Sequence, residues 1–107
     1  MRKLYISEKL VGEIRNLANR FREPYKKLLE ELAFLVEVSK DFLAREPRSL
    51  RSIIFLVDDL GRTIAKINLI MEIVDSKMSS TLRERITKVI DSLREKRNKL
   101  IDFIVGE

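Results

Sequence analysis

Apolar side chains recur every three or four residues through nearly the whole chain, and no stretch holds the two-residue alternation of a half-buried strand. A first amphipathic helix is expected from Ser7, whose hydroxyl can cap the free amides of the opening turn, with Glu8 at the positive end of the dipole and Ile6 stapled onto Val11. Its buried stripe reads Leu10, Ile14, Leu17 and Phe21. Pro24 then removes an amide hydrogen and clashes with the carbonyl of Arg20, so the helix must kink or restart. The stripe nevertheless continues in phase at Tyr25, Leu28, Leu32, Leu35, Ser39 and Phe42. Residues 8–45 therefore read as one long kinked helix, or as two helices with a minimal corner at the proline.

The break at Glu46-Pro47 is firmer, because a residue before proline avoids the helical region and Ser49 is a good cap. The next helix repeats most regularly, with Leu50, Ile53, Val57, Leu60, Ile64, Ile67, Met71 and Val74 alternating three and four apart. That spacing forms a packing seam with left-handed supercoil. Asp75–Ser80 is the one loop expected. Thr81 and Glu84 have the spacing of a capping box, opening a last helix whose stripe is Leu82, Ile86, Val89, Leu93, Leu100 and Ile104, with Gly106 at its end. The predicted fold is all-α, an antiparallel helical bundle of three long helices, the first kinked or broken at Pro24 and so effectively four. Either the first helix folds back there, or its overhang meets another chain.

Length and composition sharpen this picture. A chain of 107 residues with 34 Leu, Ile and Val fits one domain, residues 1–107, with its own core. The longest apolar run is the five residues from Ile53 to Val57, which spans no membrane, and Met1-Arg-Lys leads into no signal-peptide core, so a cytoplasmic location is expected. Without Cys or His, thiol catalysis, imidazole acid–base chemistry and the usual zinc sites are excluded. Gln and Trp are absent too, and 36% of the residues are charged, a bias typical of hyperthermophile proteins.

The net charge of +5 is unevenly spread: residues 1–27 alone carry eight basic and three acidic side chains. Within that segment Arg15, Asn19, Arg22 and Lys26 fall on one helical line opposite the buried stripe, an arrangement able to follow a phosphate backbone. Arg48 and Arg51 flank a helix N-terminus with Ser49 and Ser52, a combination able to seat a phosphate or sulfate. No glycine-rich loop offers a nucleotide cradle, and no aromatics interleave with the basic line to stack bases. The last helix is equally rich in cations, but Glu84, Asp91, Glu95 and Asp102 form a central strip between them. That is the charge-laced outer face of a bundle, with Glu84–Lys88 and Glu95–Lys99 as favourable pairs.

Beside the seam of the middle helix runs a second line, with Gly61 and Ala65 giving way to Asn68, Glu72 and Asp75. The small residues admit a close neighbour, and the amide with two carboxylates can hold Mg²⁺. Glu72-x-x-Asp75 resembles one motif of the all-α nucleotide pyrophosphohydrolases, a resemblance that implies Mg²⁺-dependent nucleotide hydrolysis. The second acidic cluster of that family has no match, because Phe34 stands where an acid should follow Glu30-Glu31.

Some apolar side chains exceed what one seam needs. Phe55, Leu69 and Ile73 lie on the far side of the middle helix, and Phe34 and Val38 lie off the main stripe of the first. A helix apolar on two sides is central in its bundle or shared with a partner. The reading expected is therefore a small, non-enzymatic assembly or adaptor subunit. It needs no cofactor and meets a second copy or a partner protein through helix faces, within a nucleoprotein complex. The alternative is a DNA- or RNA-binding protein using the basic N-terminal helix face. A Mg²⁺-dependent nucleotide hydrolase is the remote third.

Overall fold

The computed structural model describes residues 8–106. Among these residues four α-helices follow one another, α1 (Glu8–Ala18), α2 (Tyr25–Ala44), α3 (Leu50–Val74) and α4 (Ser80–Gly106), with a 3₁₀ turn over Asp75–Lys77 before α4. They pack as the all-α bundle that the spacing predicts. The expected Ser7 cap and Ile6 staple lie outside the described residues.

The chain folds back at Pro24 rather than running straight. The corner takes residues 19–24, and Pro24 stands at the N-cap of α2, where its missing amide hydrogen leaves no helical bond unmade. The Glu23–Pro24 bond is cis. Glu23 Oε1 accepts the Lys27 amide at 3.1 Å, replacing the cap that Pro24 cannot supply. Phe21 and Tyr25 meet edge-on across the corner, and Lys77 lies over both rings at 5.9 and 4.6 Å. The reversal buries Leu10, Val11, Ile14 and Ala18 of α1 against the rest of the bundle.

Ser49 caps α3 as expected, its Oγ accepting the Ser52 amide at 3.1 Å. The cap of α4 differs from the expected box. α4 begins at Ser80, and Ser79 Oγ accepts the Leu82 amide at 3.1 Å, so the cap sits two residues before Thr81. Met78 explains the shift, since it is buried in the core and fixes where the chain enters the helix.

One hydrophobic cluster joins all four helices. On α3 the buried set is Ile53, Leu56, Leu60, Thr63, Ile64, Ile67, Ile70 and Val74. It is a broader arc than the predicted seam, because two neighbouring helices must be met: Leu56 and Ile70 enter, Val57 and Met71 sit at the edge, and Leu50 is left exposed. Ser39 and Thr63, the buried polar residues, return their hydroxyls to the carbonyls of Leu35 and Asp59, each at 2.8 Å.

Polar side chains lock the helices at their flanks. Lys96 of α4 donates to the carbonyls of Leu43 and Arg45 at 2.7 and 2.6 Å, closing the C-terminus of α2. Arg97 Nε donates to Val57 O at 3.1 Å, and it reaches that backbone because Gly61 has no side chain: a Cβ there would lie 3.0 Å from Arg97 Nε. Arg85 ties α4 to Glu13 of α1 at 2.6 Å. Because Lys96 already marks the end of α2, the last ten residues of α4 project about 15 Å further, beside the start of α3.

Candidate protein-interaction site

The outer face of α3 carries the strongest departure from ordinary surface composition. The core arc of α3 faces α2 and α4, and half a turn away the helix presents Phe55, Leu69 and Ile73 to solvent, 61%, 60% and 46% exposed. These are the residues that the sequence set apart on the far side of this helix. Helical phase alone puts them there, since each lies roughly 120–160° around the axis from the centre of the buried arc.

The face extends toward the N-terminal end of α3. Leu50, Arg51, Ile54 and Phe55 line a shallow, almost wholly apolar hollow of about 350 Å³. Leu50 and Ile54 are half exposed or more, as are Phe103 and Val105 on the projecting end of α4. In the same turns of α3, Ile53 and Leu56 are buried, so only this side of the helix is left open. Sequence periodicity places Leu50 in the seam. Ile54 lies roughly 140° from the centre of the buried arc and Phe103 and Val105 fall off the stripe of α4, so phase already puts these three outside the core, though the sequence reading did not single them out.

Phe34 and Val38 behave differently from the α3 set. Phe34 is exposed on α2 opposite Leu32 and Val36, whereas Val38 is half-buried. They stand on another helix and add no turn to the α3 strip.

The basic line of the N-terminal segment is interrupted. Its four members share one line only if the helix runs on past Ala18, and the chain turns there. Arg15 pairs with Glu37 of α2 at 2.9 Å, while Lys26 donates to Asn19 Oδ1 at 3.0 Å and pairs with Glu30 at 3.3 Å. Arg22 remains exposed on the corner. At the other end of the bundle Arg48 and Arg51 are exposed, and the Ser49 and Ser52 hydroxyls share a hydrogen bond at 2.9 Å beside the capped amide.

The carboxylates of the middle helix do meet a facing helix, though α4 rather than α2. Asn68, Glu72 and Asp75 share an open groove of about 850 Å³ with Glu84, Thr87 and Asp91, bordered by Arg83, Lys88 and Arg94. Among the described residues no three acids converge tightly enough to hold a metal ion. Arg83 turns back to the carbonyls of Asp75 and Met78 at 3.1 and 3.3 Å, closing the 3₁₀ turn. Of the two expected pairs on α4, Glu95–Lys99 closes to 3.7 Å. Gly61 does admit a close neighbour, the Arg97 side chain rather than a helix backbone.

Lys96 is the one titratable group among the described residues whose surroundings clearly move its pKa. Burial of the ammonium lowers it, with Glu46 opposing and Arg45 adding to the effect. No described helix is long and apolar enough to cross a membrane. No known family model, characterised protein or solved structure matches this chain.

Proposed function

We propose that this chain is a small, non-enzymatic assembly or adaptor subunit of the cytoplasm that works through helix–helix contacts made by the outer face of α3. The observation that carries the reading is the line of Phe55, Leu69 and Ile73, three large apolar side chains each about half exposed or more on one side of a single helix. Isolated exposed apolar residues are ordinary, but a repeated line at helical spacing beside an apolar hollow is the signature of a helix face that another helix covers. Burying such side chains stabilises an association by roughly 1.5–3 kcal/mol each before the entropy of association is counted.

The basic excess of the chain favours a nucleoprotein setting for that assembly. Direct nucleic-acid binding is the second reading, and the exposed Arg22, Arg48 and Arg51 support it. The two readings respond oppositely to mutation and salt. Ile73→Asp leaves the helical circular dichroism intact and abolishes self-association or partner binding if the α3 face is the contact. Binding to a short duplex that falls steeply with salt, and that disappears with Arg15→Glu plus Arg22→Glu while Ile73→Asp leaves it untouched, moves the function to the basic surface.

A further inference from the structure

The residues on the solvent side of α3 follow a palindromic spacing. Arg51, Phe55, Asp58, Arg62, Lys66, Leu69 and Ile73 succeed one another at intervals of four, three, four, four, three and four, symmetric about Arg62. At 100° per residue they occupy a sector of roughly 80°. Four of them are charged, three are large and apolar, and each of the seven is exposed.

We propose that a second copy of this chain covers this face, its α3 running antiparallel across a two-fold axis at Arg62. The inference rests on the assembly reading above and names the partner. A two-fold contact must be self-complementary, so that each residue meets its mirror position in the palindrome. Phe55 then meets the second copy's Leu69, an aromatic–aliphatic pair, and Asp58 meets the second copy's Lys66, a pair of opposite charge. Ile73 comes down on the second copy's Arg51, and together with Leu69 it fills the hollow lined by Leu50, Arg51, Ile54 and Phe55. The apolar stem of Arg51 lies along Ile73 while its guanidinium reaches solvent.

The charges fit this register better than a parallel one, since only Arg62, at the axis, meets its own copy. Arg62 is already held by its own Asp58 at 3.0 Å, so the cations nearest the axis are each accompanied by a carboxylate. Lys66 has no ion-pair partner among the described residues, and the antiparallel register supplies one. A parallel, in-register pair would instead set Arg51, Asp58, Arg62 and Lys66 each against its own copy. The apolar residues would also lose their hollow, because Ile73 and Leu69 would lie at the opposite end from Leu50 and Ile54.

The chain has no cysteine, so single introduced thiols report the register directly. Under mild oxidation Arg62→Cys forms a disulfide-linked dimer with itself. Phe55→Cys and Leu69→Cys cross-link efficiently with each other when mixed, and poorly alone. Phe55→Glu weakens the unlinked dimer on the order of 30-fold or more in sedimentation equilibrium. Self-linking of Phe55→Cys and Leu69→Cys in preference to the mixed pair overturns the antiparallel register. If Arg62→Cys does not link while the parent chain dimerises and Phe55→Glu dissociates it, the two-fold axis is wrong but the assembly reading stands. A parent chain that sediments as a monomer at every concentration overturns the second copy as partner. Should Ile73→Asp also leave every other interaction of the chain unchanged, the assembly reading falls with it.

Discussion

Lys96 and Arg97 are neighbours on α4, yet they commit their charges to backbone carbonyls of two different helices. Neither appears in the sequence as anything but part of a charged outer face, since periodicity cannot tell that α2 stops beside position 96 or that Gly61 leaves the Val57 carbonyl bare. Lys96→Met keeps the stem and removes the ammonium, leaving the Leu43 and Arg45 carbonyls to water. It should cost about 1 kcal/mol, discounted for partial exposure. The pH dependence follows from the lowered pKa. Between that lowered value and the ordinary lysine value the native chain holds fewer protons at this site than the unfolded chain, so this group's contribution to stability rises with pH. The stability difference between the parent chain and Lys96→Met, read by urea denaturation, should therefore widen in favour of the parent as pH climbs through that window.

At the scale of the element, α4 gives the cleanest test of how its start is set. Ser79→Ala removes the hydroxyl that accepts the Leu82 amide and should cost about 1 kcal/mol in thermal or urea unfolding, whereas Thr81→Ala should change stability by roughly half of that or less. The reverse ranking would restore the capping box at Thr81 and Glu84. The sequence offered three adjacent hydroxyls there, Ser79, Ser80 and Thr81. Burial of Met78, a tertiary fact, selects among them.

The same distinction governs the rest of the fold. The helical segments and the break at Pro47 were legible because helical spacing and proline chemistry act within a few residues. Pro24 was ambiguous because the apolar phase crosses it unbroken, and a kink and a corner leave the same stripe. The structure resolves it through Glu23, which caps α2, and through the Lys77 contact with Phe21 and Tyr25 that pins the corner. In the candidate site, Phe55, Leu69 and Ile73 could be read from phase alone. Leu50 could not, since the spacing puts it in the seam while the first turn of α3 leaves it exposed.

For the whole molecule, the reversal at Pro24 changes both the bundle and the layout of its charge. It converts what would be an overhanging first helix into a fourth member of the bundle, and it breaks the basic line that a continuous helix would present. Arg15 and Lys26 are engaged with Glu37 and Glu30, so the N-terminal segment contributes to the fold as well as to the net charge. Among the described residues, the outer side of α3 and the ends of α3 and α4 leave large apolar side chains exposed. A bundle of this size that leaves such a face to solvent gains from a partner the burial its own fourth helix does not provide.

The most direct test is the molar mass in solution, by light scattering on a sizing column at low and high salt, with and without a short mixed-sequence duplex. Assembly through α3 predicts a mass of at least twice the 12.6 kDa chain, unchanged by salt and indifferent to the duplex. A 12.6 kDa monomer that joins the duplex only at low salt would contradict it.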